Sequence, residues 1–206
     1  MARPTVTFLF DFASPFSYIA DVRVDRELAT LPVDVVRVPV YLRGFDAFRA
    51  GSPYSAAKAA YLAADLVRCA ARAGVPLGAP ARVPVDGLHM LRAYLALDGH
   101  PAQAAFRRAA FRATWVDGAD TSDPEVVVEV GESAGIDRRE LAAGMARPAV
   151  KAALRANTDR AIERGAFGVP TFFVGDELYW GQDRLDFVRE RVEAAACGGA
   201  IVSDVD

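Results

Sequence analysis

Two short segments, far apart in the chain, restrict its fold more than anything between them. The first is Thr5-Val-Thr-Phe-Leu-Phe10, β-branched and aromatic with no breaker, followed by Asp11-Phe-Ala-Ser14-Pro15-Phe-Ser17-Tyr18. It predicts a buried strand running into a helix start. Ser14 stands at the N-cap, and Pro15 takes the first helical position, where a missing N–H costs nothing. The second is Phe167-Gly-Val169-Pro170-Thr171-Phe-Phe-Val, a tight turn opening another strand.

The flanking patterns extend both segments. The first helix is predicted to continue to about Leu31, with Pro32 stopping it, and 33–40 alternates as a second strand. On the C-terminal side the pattern gives a helix over 149–164, a strand over 170–174, a Gly175-Asp176 hairpin turn and a partner strand over 178–180. A closing helix over 182–196 stops at Gly198-Gly199. Between the halves, alanine, arginine and leucine recur at helical spacing, giving helices over 55–73, 88–97, 101–116, 124–134 and 138–145. Ser122-Asp-Pro-Glu125 and Asp137-Arg-Arg-Glu140 read as capping boxes, and Gly74 and Gly135 as helix ends. The order βαβ, helical insert, αββα makes an α/β protein: a thioredoxin-like fold interrupted by a large all-helical insertion. Residues 1–42 and 149–206 form the thioredoxin-like domain and 43–148 the insertion domain.

Composition narrows the function. At 206 residues, 52% hydrophobic and 25% charged, the chain can bury a substantial core. A net charge of −3, with no basic block interleaved with aromatics, argues against nucleic acid. No apolar run reaches the ~18 residues of a membrane span, and no basic-then-apolar leader opens the chain. A cytoplasmic protein is the expectation.

At the first helix start this chain carries Ser14-x-x-Ser17 where a redox protein of this fold would carry Cys-x-x-Cys. Its two cysteines, Cys69 and Cys197, are far apart in apolar surroundings and read as buried, inert thiols. An architecture for handling a thiol without thiols of its own implies a borrowed one, most simply glutathione. The helix macrodipole favours an anion by about 0.3–2 kcal/mol, and a charge-assisted bond from the Ser14 hydroxyl adds about 1.5–3. One pKa unit is about 1.36 kcal/mol, so together they lower a thiol pKa by about two units. The plainer reading is that Ser14 only caps its helix. Ser17 reads as a packing or back-bonding residue. A cis proline at Val169-Pro170 would leave the Val169 backbone free to pair with a ligand peptide; an ordinary strand-opening proline is the alternative.

Further candidates are polar. Lys58, Tyr61, Asp65 and Arg68 fall within an arc of about 80° on one helix, bordering Leu62, Leu66, Cys69 and Ala73. Lys58 could meet a carboxylate and Asp65–Arg68 could pair, or the strip is simply solvated. In Trp180-Gly-Gln182-Asp183-Arg184, Gly181 admits a ligand, helix amides could take a carboxylate, and Asp183 could take an ammonium. Lys58 and Lys151 are the only lysines in an arginine-rich chain, which draws attention to both. His89 and His100 show no metal or triad spacing, with His89 the nearer to a pocket, and no metal site is expected.

The stretches Phe10-Asp-Phe-Ala-Ser14-Pro-Phe-Ser-Tyr18, Lys58-Ala-Ala-Tyr61-Leu-Ala-Ala-Asp65-Leu-Val-Arg68, Trp115-Val-Asp-Gly118 and Phe167-Gly-Val-Pro-Thr171 through Trp180-Gly-Gln-Asp-Arg184 together resemble the 2-hydroxychromene-2-carboxylate isomerases. Those are relatives of kappa-class glutathione transferases in the DsbA-like thioredoxin superfamily. The resemblance implies that Ser14 holds the glutathione sulfur, Val169 beside Pro170 pairs with its cysteinyl backbone, and Gln182 with Asp183 hold the γ-glutamyl end. Lys58 would lie toward the bound peptide. Two positions depart from the family pattern: Ser52 and Asp86 stand where asparagine is common. The implied activity is glutathione-dependent isomerisation of a small aromatic keto acid by a homodimer. A glutathione-consuming transferase or peroxidase and a noncatalytic thiol-binding module are the rivals. A dithiol oxidoreductase is disfavoured because positions 14 and 17 hold serine.

Overall fold

Strand β1 (Thr5–Phe10) occupies the middle of a four-stranded sheet in a computed structural model that describes residues 3–196. It pairs in parallel with β2 (Asp34–Pro39) and antiparallel with β3 (Thr171–Val174), which forms a hairpin with β4 (Glu177–Trp180). The order is β2-β1-β3-β4. Gly175 has φ +61° at the first turn position and Asp176 does not share it, the φ signature of a II′ hairpin.

Strand alternation splits the core into two faces. Val6, Phe8 and Phe10 of β1 join Phe172 and Val174 of β3 on one face, packed against α1 (Pro15–Glu27) and α8 (Leu185–Ala196). Leu9 and Phe173 point the other way, onto Ala161 of α7 (Pro148–Glu163). The helices between β2 and α7 are α2 (Ala56–Ala73), α3 (Leu88–Ala96), α4 (Gln103–Trp115), α5 (Pro124–Ser133) and α6 (Arg138–Ala146). They share the first face's core: Met90, Leu91, Phe106 and Phe111 belong to the cluster of Phe8 and Phe10. Phe10, Phe12, Tyr94 and Phe111 stack edge-on or tilted with centroids 4.7–5.9 Å apart, each such pair contributing about 0.5–1.5 kcal/mol.

A buried ionic network ties α1 to β2 and α4. Arg107 donates from Nε to Asp21 at 2.9 Å and from Nη2 to Asp25 at 2.7 Å, while Arg37 donates to Asp21 at 3.2 Å and also pairs with Asp25. Arg107 and Asp21 keep only 4% and 3% side-chain exposure.

Several boundaries differ from the sequence reading. Helix α1 ends at Glu27, not Leu31: the Leu28 N–H caps onto the Val24 carbonyl, and two tight turns bring the chain to Asp34, opposite Thr5. Pro32 denies Leu31 a helical conformation, so the turn forms early. Asp123, not Ser122, caps α5, because the Ser122 hydroxyl is engaged with Asp120 and Arg82. The expected closing helix opens instead with a 3-10 turn at Gln182–Arg184, and α8 begins at Leu185. Cys197 and the Gly198-Gly199 stop lie outside the described residues. Among the described residues no helix is long and apolar enough to cross a membrane.

Candidate functional site

Ser14 is the N-cap of α1, with extended backbone angles, and its Oγ accepts from the Ser17 N–H at 3.1 Å. Because the oxygen accepts, its own proton stays available to donate. Pro15 brings no N–H, and among the described residues the Phe16 N–H takes no partner, so two donors converge at a helix end. The first turn carries no acidic residue to offset the dipole, and such an end stabilises an anion. Ser14 is 5% exposed, buried rather than displayed on the surface. Of the two roles expected of Ser17, packing is the one seen: it is fully buried, and its hydroxyl is unpartnered among the described residues.

The sheet brings the second segment to the same edge. Leu9 pairs with Thr171, so the loop after β1 and the loop before β3 meet at one end. Val169–Pro170 is cis, and among the described residues neither the N–H nor the C=O of Val169 is hydrogen-bonded. These are the groups a peptide strand would use.

Gly181, at φ +113°, donates to the Pro170 carbonyl at 2.9 Å and so stitches the following turn to that loop. A side chain at Gly181 would sit 2.4 Å from Asp183 Oδ1; only glycine fits both the conformation and the space. Gln182 is buried, and both its backbone carbonyl (2.5 Å) and Oε1 (3.1 Å) accept from Arg23 of α1. Its amide oxygen is thereby committed to the fold. Asp183 is exposed and contacts Arg184 at 3.4 Å. Arg23, Cys69, Gln182, Asp183 and Asp186 border a cleft of about 430 Å3 between α1, α2 and α8. Arg23 carries no local sequence signal; its importance follows from tertiary pairing.

The α2 candidates are more open than the helical pattern implied. Lys58, Tyr61 and Arg68 are exposed, while Leu62, Leu66 and Cys69 are half-buried and only Ala70 is buried. The Lys58 ammonium lies 4.6 Å from the Tyr54 ring centroid, and Asp65 pairs with Arg68 at 3.6 Å. Ser52 is exposed, its Oγ accepting from Tyr54 N–H at 3.4 Å. Tyr54 packs edge-on to Phe48 at 6.1 Å, and Phe48 with Trp180 walls Gly168. That chain of contacts puts the Ser52 segment beside the cis-proline loop. Cys69 is half-buried rather than buried. Its thiol is pushed up by burial and then by Asp65, to which it donates at 3.7 Å.

The residue sequence reasoning missed is Asp11. It is fully buried directly before the helix start, with Oδ1 accepting from Ala13 N–H at 2.9 Å and Oδ2 from Leu42 N–H at 2.7 Å. Its carbonyl accepts from the Ser14 N–H at 3.0 Å. A methyl at Gly87 would lie 2.2 Å from Oδ1, so the loop before α3 closes the lid on it. Asp86 Oδ1 accepts from Leu88 N–H, across the Gly87 N-cap of α3, at 3.0 Å, and Oδ2 approaches Arg43 at 3.8 Å. Burial raises the Asp11 carboxyl to about 6; the N–H bonds of Ala13 and Leu42 oppose this, Asp86 adds to it, and Arg43 opposes it. Trp115 fixes the same loop by donating to the Phe12 carbonyl at 2.8 Å.

The sign of this shift gives a stability prediction. Asp11 ionises near 3.8 when unfolded and near 6 when folded, so between those values only the native state holds the proton. Stability from this group is full below the lower value and falls by about 3 kcal/mol as pH rises through the upper one. Urea unfolding across pH 4 to 7 should show that decline in the native protein and a flatter profile in Asp11→Asn. Parallel profiles would contradict it.

His89 is not among the residues lining the cavity bordered by its neighbours Leu88 and Arg92. Among the described residues no cluster of His, Cys, Asp and Glu could hold a metal.

Comparison with known proteins identifies the family and the fold. The DSBA-like thioredoxin domain model matches residues 5–193. A 2-hydroxychromene-2-carboxylate isomerase of Sphingobium xenophagum is 31% identical over 191 residues, covering 89% of this chain and 95% of the relative. One of Pseudomonas putida is 32% identical over 200 residues, covering 93% and 95%. A solved 2-hydroxychromene-2-carboxylate isomerase superposes with a TM-score of 0.77 at 31% identity, covering 94% of this chain and 96% of that one.

Proposed function

The chain belongs to the DsbA-like thioredoxin family and, within it, to the 2-hydroxychromene-2-carboxylate isomerases, and from that membership we propose that it isomerises an aromatic keto acid with the help of glutathione. The reaction envisaged is of the 2-hydroxychromene-2-carboxylate to trans-o-hydroxybenzylidenepyruvate type. One observation carries the reading: a helix start offering the Ser14 hydroxyl and the Phe16 N–H, at the same sheet edge as the unpaired Val169 backbone. A thiol peptide needs both, an anion site for sulfur and a strand edge for its backbone. The residues present therefore fit glutathione.

Glutathione, held at Ser14 and Val169, would supply a thiolate nucleophile capable of reversible addition to a conjugated double bond, and so would be regenerated rather than consumed. Ser14 donates its hydroxyl proton toward the sulfur, and the α1 dipole lowers the thiol pKa. Val169 pairs with the peptide beside Pro170, with Ser52 and Lys58 approaching from the neighbouring segment. Asp183 takes the ammonium of the γ-glutamyl end, while Gln182, held by Arg23, positions that turn. A thiol near pKa 8.5 is a few per cent ionised at pH 7; about two units lower, thiolate predominates. Serine at 14 and 17 leaves no dithiol for disulfide exchange.

The test follows a chromene carboxylate spectroscopically with glutathione-free protein, before and after adding millimolar glutathione, while total thiol is titrated. Turnover is expected only with glutathione, at constant thiol. Equal turnover without it would overturn the proposal, and thiol lost in step with product would make the protein a transferase instead.

A further inference from the structure

A cavity of about 780 Å3 opens between the end of β2, the start of α3 and the first half of α7, a volume in the range of small-molecule sites. Tyr41, Leu88 and Leu154 give it apolar walls, and Arg92, Lys151 and Arg155 give it charge. Among the described residues none of these three cations forms an ion pair. Arg49, also on the wall, is paired with the exposed Asp46 at 2.8 Å, and Asp159 is the one lining carboxylate. The Arg92 Nε is buried and takes no hydrogen bond among the described residues, so a donor there is desolvated without compensation. Lys151 is one of only two lysines in the chain.

Like charges gathered around a concave, partly apolar space repel one another until an anion enters. The thiol-site residues Ser14, Val169, Pro170, Gln182 and Asp183 do not line this space. What lies between is the Asp11 clamp: Leu42, next to Tyr41, donates to the Asp11 carboxylate, and Ser14 N–H donates to the Asp11 carbonyl.

We propose that this cavity binds an organic anion carrying an aromatic ring and a carboxylate, at a site separate from the thiol pocket. The ring packs on Tyr41, Leu88 and Leu154; the carboxylate takes charge-assisted bonds from Arg92, Lys151 and Arg155. Because the Asp11 clamp stands between this cavity and the Ser14 helix start, such a ligand is an effector rather than the compound the thiolate attacks.

Salicylate serves as the probe, titrated calorimetrically into the native protein, Lys151→Gln, Lys151→Gln/Arg155→Gln and Ser14→Ala. Lys151 and Arg155 are exposed, so these substitutions leave the fold intact, which a thermal melt verifies. Binding is expected to weaken roughly tenfold per lost cation, to weaken with salt, and to be unchanged by Ser14→Ala or by saturating S-methylglutathione. Native affinity in the double variant, displacement by S-methylglutathione, or no saturable binding at millimolar salicylate would each overturn the proposal. Because binding is read without turnover, the outcome does not depend on the isomerase reading. Turnover assays then test its role: noncompetitive inhibition or activation by salicylate is expected of an effector at this separate site, and purely competitive inhibition against the chromene carboxylate would overturn that assignment.

Discussion

Ser14→Ala should lower turnover about a hundredfold, the scale of losing one donor to a developing or poised anion, while most glutathione affinity remains. The hydroxyl is one of only two free donors at the α1 start; the Val169 backbone and Asp183 are untouched by its removal. The substitution also removes the Ser17 cap, worth about 1 kcal/mol, too little to unfold the chain. A mechanistic readout separates the two roles. Absorbance of bound glutathione thiolate against pH should shift upward by about one pKa unit or more in the variant. Unchanged thiol ionisation with reduced turnover would mean that Ser14 acts only through the fold.

Arg107→Ala should be the most destabilising change among the polar residues, at about 3–5 kcal/mol. Its guanidinium, nearly completely buried with Asp21, also holds the partly exposed Asp25, and its loss leaves Asp21 with Arg37 alone. For a chain of this size that corresponds to a melting temperature lower by roughly ten degrees. Asp25→Asn, at the more exposed end of the network (37% side-chain exposure), should cost much less. A loss below about 1 kcal/mol for Arg107→Ala would show that water reaches Asp21 freely.

What the sequence disclosed and what it withheld divide along one physical line. The strand into Ser14-Pro15, the II′ turn at Gly175 and the Asp137 cap rest on neighbours in the chain, and each is visible in a window of a few residues. Asp11 is not, because Phe-Asp-Phe between strand and helix looks like a polar loop residue until Leu42 and Gly87 close over it. Arg23 on Gln182 and Arg107 on Asp21 are pairings between residues 159 and 86 positions apart, and an arginine-rich composition hides them among surface arginines. Helix α2 shows the opposite error. Its periodicity is real, but α1 is its principal packing partner, so a stripe that would be buried elsewhere stays half-open.

The central position of β1 also has a consequence for how the protein is made. Strand β1 leaves the ribosome before the other three strands of its sheet and satisfies one side with β2 almost at once. Its other side waits for residues 171–174, after every helix of the insertion has been synthesised. Throughout that interval the nascent chain carries an open, aromatic sheet edge of the kind that invites aggregation. Chains that stall within the insertion should therefore depend on chaperones far more than the finished protein does.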